Sequence, residues 1–166
     1  MSIMRTLGLA VLLLLVAVGC RSTDTARGPG SVDAMAFEVV LDEDLDAAVA
    51  TLTAALKNEG FGVLTRIDVH TTLKEKIGVE FQPYAILGVC RPSLAHRALT
   101  RDSRAGLMLP CPVTVEQLPQ GGSLVRIGDP ETFMELGGFG GDEVMESVAG
   151  EAHDRLKRAA LALAAS

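Results

Sequence analysis

The sequence has no tryptophan, one tyrosine and an aromatic content of 4%, and its 15 Lys and Arg are outnumbered by 21 Asp and Glu. No basic stripe stands out anywhere. A chain this acidic repels phosphate backbones, so nucleic acid is excluded as a partner, and anionic membrane surfaces do not attract the domain. Other absences narrow the chemistry. No Gly-Lys-Ser/Thr ending follows the glycine-dense stretch GGFGGD (residues 137–142), so a phosphate loop is excluded and the stretch reads as a mobile loop. No Ser-His-Asp order, carboxylate dyad or His-Glu-x-x-His is present, so no catalytic constellation supports an enzyme and no cofactor is expected. No internal repeat is visible. No apolar run reaches the roughly 20 residues of a comfortable membrane span. Cysteine is scarce, at three.

What is present begins with MSIMRTLGLAVLLLLVAVGC. Arg5, an apolar run from Leu7 to Val18 and then small residues form the layout of a secretory signal peptide; the alternative is a buried core helix. The ending AVGC resembles a bacterial lipoprotein box. Gly19 and Cys20 match it, and Ala17 stands where leucine is usual. The resemblance implies removal of residues 1–19 and acylation of Cys20, palmitate being the kind of chain involved, with several chains giving a firm anchor. Ordinary cleavage would instead leave Cys20 a free thiol. Arg21 follows where aspartate would signal inner-membrane retention, which points to the outer membrane, facing the periplasm. Residues 1–19 carry Arg5 and no acid, so the remainder has 14 basic and 21 acidic residues, a net charge of −7. Residues 20–35 then read as the lipidated cysteine and a small, polar, Gly/Pro-containing tether.

With Cys20 assigned to lipid, Cys90 and Cys111 remain. An oxidising envelope favours a disulfide between them. Loop-closure entropy for a loop of about 21 residues would contribute roughly 3 kcal/mol. Sequence alone does not bring the two together.

Residues 36–166 form the domain. AFEVVL is a short strand. Leu45, Val49, Leu52 and Leu56 recur at helical spacing, with Asp42, Glu43 and Asp44 at the start and Gly60 at the C-terminal cap. FGVLTRIDV alternates as a strand, and TTLKEKIG forms one or two helical turns closed by Gly78. YAILGVC is a continuous apolar run, a strand buried on both faces or at the sheet centre. PSLAHRALTRD opens with Pro92 and Ser93 as a helix should. GLMLPCPVTVEQL is a strand interrupted by Pro110 and Pro112, which places it at an edge or bulge. PQGG turns into the strand SLVRIGD, and PETFMEL is a short helix. The last helix carries a stripe of Val144, Val148, Ala152, Leu156 and Ala160. The order of strand, helix, four strands and long helix, with short helical inserts, predicts an α+β fold in which one antiparallel sheet packs under helices.

The combination Gly-Phe-Gly-Val, Ile-Asp-Val, Leu-Lys-Glu-Lys, Ile-Leu-Gly-x-Cys and Leu-Pro-Cys-x-Val resembles the bacterial and archaeal family called domain of unknown function 302, over roughly residues 36–160. The resemblance implies a TATA-binding-protein-like α+β arrangement and nothing about DNA. The family pattern has asparagine after each cysteine; Arg91 and Pro112 stand there here. An activity resting on those asparagines would be absent.

Candidate functional residues are Cys90, Cys111, Asp68, Lys74, Tyr84, Arg91 and His96. A cysteine ending a buried strand is commonly a small core residue; a disulfide and a reactive or metal-binding dithiol are the alternatives. Cys90 precedes a helix start, where unpaired N–H groups favour a thiolate, and Arg91 adds positive potential. His96 lies six residues on and is a candidate further ligand. Asp68 and Lys74 read as a surface salt bridge. His70 and His153 carry less argument. Two functions are therefore expected: an envelope lipoprotein domain binding a small ligand or a partner protein, or a thiol-dependent redox or metal-binding protein using Cys90 and Cys111. A homodimer through a sheet edge left by Pro110 and Pro112 is compatible with either.

Overall fold

The computed structural model describes residues 32–33 and 35–166. The signal peptide, Cys20 and nearly all of the tether lie outside the described residues. Among those described, no helix is long and apolar enough to cross a membrane.

Six strands form one antiparallel sheet: β1 (Val32–Asp33), β2 (Ala36–Leu41), β3 (Gly62–Asp68), β4 (Tyr84–Cys90), β5 (Cys111–Gln117) and β6 (Ser123–Gly128). Their spatial order is β1-β2-β6-β5-β4-β3. Among the described residues the α-helices are α1 (Leu45–Asn58), α2 (Val69–Ile77), α3 (Pro92–Arg101), α4 (Pro130–Leu136) and α5 (Glu143–Ala164). The α+β expectation holds, one sheet under helices.

Alternation along the strands decides which face is buried. Phe37, Ile127, Val113 and Leu87 stand side by side across β2, β6, β5 and β4, and Val39, Val125, Val115 and Ala85 form the next such row. All eight are buried. The helices lie on this face. α1 offers Leu45, Val49, Leu52 and Leu56, the stripe read from sequence, and α5 offers Met145, Val148, Ala152, Leu156, Ala160 and Leu163. Val144 is exposed, so the α5 stripe begins at Met145. The opposite face carries an ion-paired row: Arg126 on β6 bonds Glu38 on β2 at 2.9 Å and Glu116 on β5 at 2.7 Å.

The prolines do not mark an edge. β5 lies between β4 and β6, and the sheet edges are β1 and β3. Pro112 is accommodated because the β5–β6 ladder begins only at Val113, paired with Ile127. On its other side Pro112 opposes Gly88. Residues 103–108 form a 3-10 helix rather than the start of a strand. A dimer edge at Pro110 and Pro112 is therefore not available.

The glycine-dense stretch also differs from expectation. It is a helix terminus with a buried anchor. The N–H of Phe139 donates to the Met134 carbonyl and that of Gly138 to Glu135, the paired bonds of a left-handed helix end, with Gly138 at φ +75°. Phe139 is buried, and the Arg104 guanidinium lies 5.4 Å from its ring centroid. The same device ends α1, where Phe61 and Gly60 (φ +80°) donate to Leu56 and Lys57.

Candidate functional site

Sheet register brings the two cysteines into one neighbourhood. Cys111 begins β5 opposite Val89, the residue just before Cys90 at the end of β4. Both are free thiols. They line a groove between this end of the sheet and helices α3, α4 and α5, walled by Phe61, Leu94, Ala98, Met108, Phe133 and Met134, with about 40 Å³ of room. The walls are almost wholly apolar because α3 turns Leu94 and Ala98 inward and α4 brings Phe133 over Gly128 and adds Met134.

Desolvation governs the thiols here. Burial pushes Cys111 up to about 11 from an ordinary 9.0, and the nearby Cys90 adds to the rise. Burial raises Cys90 as well. The α3 N-terminus therefore does not produce a low-pKa thiol. Arg91 does not hold a thiolate either. Its guanidinium donates to the Glu59 carbonyl at 2.9 Å, at the end of α1. That approach needs Gly60, since a Cβ there would lie 2.1 Å from Arg91 Nη1.

The remaining candidates lie elsewhere. His96 is exposed on α3 and faces a separate surface hollow with Arg97, Thr100, Arg101 and Val144. Tyr84 opens β4 at the end opposite Cys90, and its N–H donates to His70 Nδ1 at 3.2 Å. Asp68 and Lys74 do not pair with each other. Asp68 bonds Arg66 at 2.8 Å, and Arg66 also reaches Asp46 at 2.6 Å. Lys74 pairs with Glu80. Asp68, His70, Arg66, Asp44 and Asp46 share a shallow polar hollow beside Gln117. The structure thus scatters the sequence-read candidates: the thiols and Arg91 meet at the groove, Asp68 and Tyr84 lie near the polar hollow, and His96 and Lys74 join neither.

One group escaped the sequence reading. His153 on α5 places Nδ1 2.8 Å from Asp129 Oδ1. Its spacing from Ala149 and Leu156 put it on the buried helical stripe, which is the signal that a sequence offers for a histidine with a partner.

A family model described as "Domain of unknown function DUF302" matches residues 37–163. The chain belongs to the DUF302 family. Among solved structures, it is similar to the crystal structure of an uncharacterized conserved DUF302 protein from Bacillus stearothermophilus, with 30% identity and a TM-score of 0.66, covering 75% of this chain and 94% of that one. No curated protein matches. In this DUF302 domain Arg91, the residue after the first of the two cysteines, is the N-cap of α3, where no side chain caps the helix.

Proposed function

We propose that this DUF302 protein is an exported lipoprotein, anchored through Cys20 to the outer membrane and facing the periplasm, and that its domain binds a small apolar molecule in the thiol-lined groove. The groove carries the ligand reading: an apolar hollow bounded by aromatic and thioether side chains, with neutral thiols at one end. Its open room of about 40 Å³ is the space of about two or three waters. Met108 and Met134 are flexible, polarizable walls whose rotamers enlarge the space, so the ligand is a molecule of few heavy atoms. The anchoring part is supported by the AVGC ending and the polar residues that follow it.

The test is thermal shift with small aromatic and short-chain alkyl compounds. Binding at a hundred times Kd stabilises by about 2.7 kcal/mol, which is readily seen. Ala95→Leu, at the half-buried rim of the groove, should remove the shift and leave the fold intact. No stabilisation by any compound, or shifts unchanged in that variant, would overturn the groove reading. Separately, labelling with a palmitate analogue should tag the wild type and not Cys20→Ser. A thiol-dependent redox or metal-binding role is the second reading, favoured by two free thiols at adjacent strand ends. The raised thiols count against it near neutral pH, because the thiolate is the reactive form.

A further inference from the structure

Asp129, Glu131 and His153 converge on the side of the sheet where β6 gives way to α4. Asp129 is the α4 N-cap, Glu131 sits in its first turn, and His153 comes from the middle of α5. His153 Nδ1 lies 2.8 Å from Asp129 Oδ1 and 3.5 Å from Glu131 Oε2. One ligand atom from each of the three falls within 4.8 Å of the others.

The group is held from several directions. The Asp129 N–H donates to the Met35 carbonyl at 2.8 Å, and its Oδ1 accepts from the Glu131 N–H at 3.1 Å. The His153 ring stands edge-on to Phe37, with centroids 5.1 Å apart. Gly150 on α5 leaves space beside Glu131: a Cβ there would be 3.4 Å from Oε1. Charge is the decisive feature. Asp129 is 6% exposed. Among the described residues neither Asp129 nor Glu131 pairs with lysine or arginine; both face the same imidazole. A nearly buried carboxylate beside a second one, both facing one imidazole, presents a cation with two anionic oxygens and a nitrogen.

We propose that Asp129, Glu131 and His153 form a divalent metal site of the Zn²⁺ class. One imidazole nitrogen and two carboxylates suit a borderline first-row cation. Bonds of about 2.0–2.2 Å in tetrahedral geometry place ligand atoms about 3.3 Å apart, and the observed 2.8 and 3.5 Å fall on either side of that. On binding, the cation takes the Nδ1 lone pair in place of the hydrogen bond to Asp129, and the neutral imidazole carries its one proton on Nε2. Three protein ligands leave one position for water or an exogenous ligand, on the side where Glu131 is exposed. This site is independent of the thiol groove.

The experiment is Zn²⁺ titration of the purified full-length chain in detergent against a chromophoric chelator, with Co²⁺ as a spectroscopic reporter. One equivalent should bind. Glu131→Gln should weaken binding at least about tenfold, with an unchanged circular dichroism spectrum, since that side chain is 55% exposed. His153→Gln should abolish binding. The double variant Cys90→Ser, Cys111→Ser should bind as the wild type does, and the Co²⁺ spectrum should lack sulfur charge-transfer bands. No binding by the wild type, equal binding by Glu131→Gln, or loss of binding only with the two thiols would each overturn the proposal.

Discussion

At Cys111 the thiol loses its water to the groove walls, and that loss sets its chemistry more strongly than any neighbouring charge. The consequence for stability has a definite sign. Between an ordinary 9.0 and about 11, the unfolded chain releases the Cys111 proton while the folded chain keeps it. The folded state then binds more protons, so stability falls as pH rises through that window. Denaturant midpoints measured from pH 8 to 11 should drop, and Cys111→Ser should flatten the drop. Alkylation of Cys111 should likewise stay slow at neutral pH and accelerate only toward pH 11. Gly60 gives a second residue-scale expectation. Its φ of +80° disfavours any Cβ, and Arg91 occupies the space a Cβ would take. Gly60→Ala should destabilise by about 1–2 kcal/mol from backbone conformation, with more from displacing Arg91 off the Glu59 carbonyl. Urea unfolding measures it; a change under a few tenths would show that the α1 terminus relaxes freely.

Among the elements, α1 and α3 are built by contrasting rules. Asp44 caps α1 through a 2.9 Å bond from the Ala47 N–H, while the next free N–H, that of Leu45, donates to Gln117 of β5 at 2.9 Å. Removing the cap in Asp44→Ala should lower stability by about 1 kcal/mol, read from chemical denaturation. α3 has no such side-chain cap. It begins with Pro92, whose missing N–H makes the loss smaller, and is held by Arg97 bonding Glu151 on α5 at 3.0 Å. The two glycine–phenylalanine helix ends, at residues 60–61 and 138–139, show one motif used twice. Each turns the chain through a left-handed glycine and drives a phenylalanine into the core. The first was legible as a cap because a strong helical stripe preceded it. The second was hidden by the surrounding glycines, whose density suggested looseness.

For the whole molecule, stability is distributed unevenly. β4, β5 and β6 are flanked on both sides by other strands and bury Leu87, Val115 and Ile127 completely, whereas α2 buries no side chain. Hydrogen exchange should therefore find the slowest amides in these central strands and the fastest helical amides in α2. Protection of α2 equal to that of α5 would mean that another surface covers it. The face opposite the helices is only partly apolar: Val40 and Ile67 are exposed, and the Glu38–Arg126–Glu116 row crosses it. With β1 and β3 as the edges, any pairing with a second copy would use those strands rather than β5.

The sequence by itself determined most of the elements and their order, because periodicity, caps and turn residues are local properties; β1, inside the segment read as tether, and the 3-10 helix at Ser103–Met108 were not among them. The stripe from Leu45 to Leu56, the strand Tyr84–Cys90 and the turn before Ser123 could all be read one window at a time. The strand order was decided only by tertiary structure, since which strands pair depends on packing between distant segments; that is why Pro112 sits inside the sheet. The same holds for the sites. Cys90 and Cys111 drew notice as residues, but only the β4–β5 register brought them to one groove, and only its burial made their thiols weak acids. Asp129 and His153, 24 positions apart, meet because α4 packs against α5 and α5 packs against β2, a convergence that no local pattern encodes.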